Sequence, residues 1–172
     1  MSKTIAYSLR PDLAFYVSMG ALTILTHREK IEAKNILIHS CGYVGEEDKK
    51  EGESNLIKDG GIKTLDLAPD NAILGWGKIA EIKEYDNQTF AYDKERHWAH
   101  MSFQSFKSEN AMMGVPVYGY VLIDVFYLQL PVIGIGGKRI HGEIWEAETP
   151  FDALCFNKAI KETRVIAAKD LF

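Results

Sequence analysis

Several groups of side chains in this sequence have types and spacings that chemistry can use. Arg10 stands beside Pro11, where a guanidinium at the mouth of a Pro-started helix could hold a phosphate or a base edge with two parallel hydrogen bonds. His39 and Cys41 alternate along an apolar run and so share one face, the arrangement of a thiol–imidazole or metal pair. With no second cysteine pair and no nearby acid to orient the ring, a histidine bonded to backbone is the expected reading. His97 and His100 flank Trp98 at a spacing that fits one side of a helical turn, but the glutamate and the four-residue spacing of a zinc-protease helix are missing. No metal and no cofactor are therefore expected. Glu81 and Glu84 have odd spacing, which on a strand turns them to opposite faces and leaves Glu81 alone to face a cleft. Trp76, Tyr118, Tyr120 and Trp145 offer flat faces on which a base can stack; Trp76, between Gly75 and Gly77, is expected to be open and Trp145 buried. Lys138 and Arg139 follow Gly136 and Gly137 as a basic hairpin able to fold over a bound strand.

The chain that must position these groups has 172 residues, 47% hydrophobic and 26% charged, the composition of one ordinary domain over residues 1–172. Two cysteines are too few for a disulfide scaffold, and no apolar leader follows Lys3 and Thr4, so a reducing cytoplasm is expected. The longest apolar stretch, Val115 to Ile135, is broken by Pro116, Asp124, Gln129 and Pro131 and reads as strand rather than a membrane span. Twenty basic residues against twenty-four acidic ones give a net charge of -4, which argues against holding long duplexes by bulk electrostatics and leaves room only for a local basic cleft.

Charge is uneven along the chain. Glu46 to Asp59 holds six acids and three bases, so this segment alone carries -3, with glycines at 45, 52, 60 and 61. It reads as a solvated acidic insertion over about residues 42–61 with at most a short helix, removable without loss of the fold. Pro11 to Gly20 predicts a helix, Leu22 to Thr26 and Asn35 to Ser40 predict strands, and Ala72 to Tyr85 predicts a long central strand. Tyr92 to Met113 fits neither period and reads as loop with a helical turn. Tyr118 to Phe126 and Gly142 to Ala147 are strands, and Thr149, Pro150 and Asp152 open an amphipathic helix over about residues 150–163.

Four blocks carry a family resemblance. "SLRPDLAFYVSMGALTILTHREKIEAKNILIHS" resembles the opening of ASCH domains, which are similar in fold to the PUA RNA-binding module; "AILGWGKIAEIKEY", "YGYVLIDVFYL" and "PVIGIGGKRIHGEIWEAE" follow in the family's order. The resemblance implies an α+β fold, a PUA-like small curved β-barrel flanked by short helices, with a cleft between barrel and first helix for RNA or a nucleotide-like ligand. In that fold Arg10 lies together with Thr26, His27, Arg28 and Lys30. Arg28 and Lys30, with Glu29 and Glu32, read equally well as a solvated charged loop.

One branch of the family hydrolyses an acetylated cytidine with a Lys and a Thr drawn from a Lys-Thr-Ile-Thr stretch, where this chain has Leu22, Thr23, Ile24 and Leu25. A leucine can neither act as a base nor attack a carbonyl, so that mechanism is not expected. The reading that results is a module binding single-stranded or structured RNA, or a nucleoside-like small molecule, through Arg10, Thr26, His27, Arg28, Lys30, Trp76, Lys78, Glu81, Lys138 and Arg139. The alternative is a hydrolase acting on a modified nucleoside or on RNA, with Lys78, His27 or Tyr118 in catalytic roles.

Overall fold

The computed structural model describes residues 4–97, 116–135, 139–147 and 165–167. Seven strands form one mixed sheet: β1 (Thr4–Leu9), β2 (Ile24–His27), β3 (Asn35–Ser40), β4 (Ala72–Tyr85), β5 (Val117–Ile133), β6 (Ile144–Glu146) and β7 (Val165–Ala167). Their order is β2-β5-β4-β3-β1-β6, with β7 also on β5. Only β1 and β3 run parallel, with Ser8 opposite His39; the other pairs are antiparallel. Among the described residues four helices accompany the sheet, α1 (Pro11–Ser18), α2 (Glu46–Gly60), α3 (Asn87–Tyr92) and α4 (Lys94–His97), together with a 3-10 helix over Ile62–Leu67.

The sheet curls. β1 and β2 are four steps apart in strand order, yet the Tyr7 hydroxyl donates to the Thr26 carbonyl at 2.5 Å. Register shifts at Ile38/His39 and at three points along β4 supply the bends, as bulges do by adding a residue to one strand of a pair. At Gly75 the backbones approach so closely that an added Cβ would lie 2.4 Å from the Phe126 carbonyl oxygen. The observed architecture is thus the α+β curved half-barrel with short helices that the sequence blocks imply.

α1 starts with Pro11 at N1, where the missing N–H costs nothing, and ends before Gly20, whose φ of 75° lies in the left-handed region. It buries Ala14, Phe15, Tyr16 and Val17 against the sheet face carrying Ile5, Tyr7, Leu9, Ile36 and Ile38. The opposite face carries a smaller core of Ala6, Leu37, Ile73, Leu128, Ile135 and Trp145. Trp145 is buried as expected, pairing across β6 with Ala6.

Two segments depart from expectation. β5 runs on through Pro131 to Ile133, because proline is tolerated toward a strand's end where its N–H is not needed. The acidic segment is a helix of 15 residues, not a short one: three acids sit in its first turn and Lys58 in its last, which suits the helix dipole at both ends. Its Leu56 is 2% exposed in the main core, and Gly52 lets the Tyr43 ring lie against the helix, where a Cβ would be 2.2 Å from a ring carbon. Removing this segment would therefore open the core. The helix expected over residues 150–163 lies outside the described residues, and no described helix is long and apolar enough to cross a membrane.

Candidate functional site

The C-terminal end of β1 gathers the polar groups. Ser8 brackets the turn that follows Arg139, its N–H donating to the Glu143 carbonyl at 2.9 Å and its carbonyl accepting from the Gly142 N–H at 2.8 Å. Gly142 has φ of 84°, the backbone state that lets this turn close. The turn brings His141 to Arg10, whose backbone N–H donates to the His141 Nδ1 at 3.2 Å. At the end of β2, His27 meets the Tyr7 ring edge-on at 6.0 Å, accepts from the Glu29 N–H at 3.0 Å and contacts the Gly142 backbone. His27, Gly142, His141 and Arg10 thus form a continuous rim. Desolvation lowers the pKa of both imidazoles from the ordinary value, and the Arg10 charge lowers that of His141 further.

Arg10 is enclosed rather than open. Its Nε and Nη2 donate to the two Asp12 oxygens at 2.8 and 2.9 Å, and its Nη1 donates to Asp48 at 2.7 Å and Glu51 at 3.1 Å. The side chain is 13% exposed and Asp12 is fully buried. Desolvation alone would lower the guanidinium pKa, but the three carboxylates outweigh it and raise it. The two-bond grip expected for a ligand is occupied from within, by a neighbour on α1 and two acids of α2.

The other expected groups scatter. Thr26 holds Tyr7 through its carbonyl, and Arg28 is exposed on the loop beyond His27. Lys30 is exposed and pairs with Glu32 at 3.2 Å. Arg139 bonds Glu143 at 2.7 Å and lies 4.7 Å over the Trp145 ring, so it reaches the rim's edge; Lys138 lies outside the described residues. Lys78 sits beside Asn35, at the far end of β3 from Ser40, and pairs with Asp124 at 2.9 Å. Glu81 is exposed farther along β4, opposite Val121. The open stacking face expected of Trp76 is covered: its ring stacks on Phe126 with centroids 4.4 Å apart and packs on the smaller core. Its flanking glycines did not expose it, because the neighbouring strand fills the space they leave.

His39 is structural, as expected, with the Ile135 backbone beside it and side-chain partners as well. Its Nδ1 is 2.9 Å from the Ser8 hydroxyl, which also accepts from the Trp145 indole N–H at 3.0 Å. All three are buried, and desolvation lowers the imidazole pKa. A serine–histidine pair of this length could serve nucleophilic chemistry, yet here the oxygen already holds the indole and both groups are closed off. The Cys41 thiol is pushed up to about 11 by burial, which disfavours the thiolate. His97 bonds the Phe90 carbonyl at 2.8 Å, His100 lies outside the described residues, and among the described residues no cluster of ligating groups could hold a metal.

Leu22 and Leu25, which the sequence resemblance sets against the hydrolytic branch's Lys and Thr, are 7% and 4% exposed and belong to the main core. Tyr7, Asp48, Glu51 and His141 were not legible as site residues, since each gains its place from a partner distant in the chain; Asp12, two residues from Arg10, was within local reach. One signal existed for His141, its position two residues after the basic pair of the glycine hairpin.

No protein-family model and no curated protein matches the chain. Solved structures do. The ASCH protein of Zymomonas mobilis aligns at 14% identity with a TM-score of 0.57, covering 94% of this chain and 96% of that one. A serine-to-alanine variant of it aligns at 15% identity, TM-score 0.57, over 95% and 98% of the two chains. A tyrosine-to-phenylalanine variant aligns at 15%, TM-score 0.58, over 94% and 99%. The fold is accordingly that of a PUA-like α+β protein. Within that class it is the ASCH fold.

Proposed function

We propose that this protein is an RNA- or nucleotide-binding module whose ligand seats on the rim made by His27, His141 and the Arg139–Gly142 turn. The observation that carries the reading is the approach of two imidazoles to one glycine turn at one end of the barrel, His27 against the Gly142 backbone and His141 against the Arg10 backbone. Arg28 follows His27 on the loop beyond β2 and its charge acts on that ring, and flat rings next to a local cation suit a base and its phosphate. The described residues hold no accessible nucleophile with a base and a donor pair around one small volume, which is what a hydrolase would need. The leucines at positions 22 and 25 support the same reading.

A chain of charge -4 that meets two or three phosphates binds weakly, with a log–log salt slope of about -1.4 to -2.1 for single strands. The test is fluorescence anisotropy of a short single-stranded RNA at several salt concentrations. Arg28→Ala and His27→Ala are expected to weaken binding, Arg28→Ala alone to flatten the slope by somewhat under one unit, and Lys49→Ala on α2 to do neither. Absence of RNA binding at low salt, together with turnover of a modified nucleoside, would replace the module with the hydrolase.

A further inference from the structure

We propose that the acidic side of α2 is a displaceable guard over Arg10, an internal stand-in for the phosphate of the bound nucleic acid; this rests on the rim being the binding site. One guanidinium faces three carboxylates, so two negative charges around it are in excess. The three are not equivalent. Asp12 is fully buried, holds Arg10 through two bonds and accepts a third from Asn55, so it is the fixed partner. Asp48 and Glu51 are 29% and 60% exposed, lie three residues apart on one side of α2, and share the single Nη1 group. Two like charges on one nitrogen repel, and water reaches both, so these are the contacts that can be given up.

The place they occupy adjoins the rim. The His141 imidazole is bonded to the Arg10 backbone and feels the charges of Arg10, Asp48 and Asp12. A phosphodiester oxygen on Nη1 would restore the charge-assisted bond that the carboxylates supply, at similar length, while its base lay along the imidazoles. The rest of α2 need not leave, because Leu56 in the core and the Tyr16 hydroxyl on Asp59 hold its later turns. Departure of Asp48 and Glu51 requires only movement of the first two turns.

The experiment compares RNA binding by the full chain and by Asp48→Asn/Glu51→Gln, with Glu46→Gln/Glu47→Gln as a control of equal charge change on exposed positions of the same helix. The guard predicts about three- to ten-fold tighter binding for the first variant and a salt slope steeper by about 0.7, with less than about two-fold change for the control. Adding Arg10→Ala removes the gain. As a measure that does not depend on that variant folding, the Arg10 Nε–H resonance of Asp48→Asn/Glu51→Gln shifts on addition of RNA. Unchanged affinity, an equal gain in the control, or an unmoved Arg10 resonance overturns the guard while leaving the rim intact as a binding site. Failure of every folded variant to bind RNA overturns both.

Discussion

Two buried ion clusters hold the helices to the barrel, and they are built with opposite stoichiometry. At the end of β1 one guanidinium, Arg10, is surrounded by three carboxylates. Under α4 one carboxylate, Asp93, is surrounded by Lys83, Arg96 at 3.5 Å and the Tyr85 hydroxyl at 3.0 Å. The first has anions to spare and the second cations. Each cluster therefore has one member without which the rest repel, and outer members whose loss the rest tolerates. Which residue is indispensable follows from counting charges rather than from counting bonds.

The largest effect is expected at the central cation. Arg10→Met leaves Asp12 buried without a partner beside two more carboxylates, and urea denaturation is expected to show a loss of about 3 to 5 kcal/mol. A loss below about 1 kcal/mol would mean that Asp12 is neutralised in another way. At the other centre, Asp93→Asn deprives Lys83, itself 25% exposed, of its counter-ion, with an expected cost of about 2 to 3 kcal/mol. Its smaller size reflects the water that still reaches Lys83.

The same substitution sharpens the contrast in acid. Burial alone would raise the Asp93 carboxyl, but the bonds from Lys83 and Tyr85 and the charges of Lys83 and Arg96 outweigh it and hold its pKa below the ordinary value. A folded-state pKa below the unfolded one means a stabilisation fully present above about pH 4 and lost as pH falls through the native value. Thermal melts of the protein are thus expected to decline below pH 4 partly through this group, and Asp93→Asn to decline less steeply. Smallest of all is the outer acid: Glu51→Gln at 60% exposure is expected to shift stability by no more than about 0.5 kcal/mol. A loss as large as that of Arg10→Met would erase the distinction between centre and periphery.

Legibility in the sequence tracked the same divide between local and distant causes. β3 and β4 were readable to the residue because apolar runs bounded by polar residues need no partner to be recognised. α1 was readable from Pro11 and Gly20. α3 was missed although Asp86 and Thr89 form a reciprocal capping box, with the Asp86 carboxylate accepting from the Thr89 N–H at 2.8 Å, a signal present in the spacing. α2 was underestimated because its anchors are Leu56 alone and polar contacts to Arg10, Asp12 and Tyr16, which a charge count reads as solvation. The Ser8–His39 bond spans 31 residues and arises only from the parallel register of β1 and β3. Arg10 stood out locally through its place beside Pro11; that Asp48 and Glu51 of a distant helix hold its guanidinium lay beyond any local pattern.

The position of β1 has a consequence for how the chain is made. β1 precedes both of its neighbours in the chain and lies between β3 and β6, with Ile5 opposite Ile36 on one side and Glu146 on the other. Translation supplies the first neighbour early and the second only after more than a hundred further residues, which at about 5 to 20 residues per second leaves one edge of β1 uncovered for roughly 7 to 30 s. During that interval its unpaired backbone groups form a template for other nascent strands. Trp145 lies on that late strand, so the step that covers the smaller core is also the one that ends the exposure.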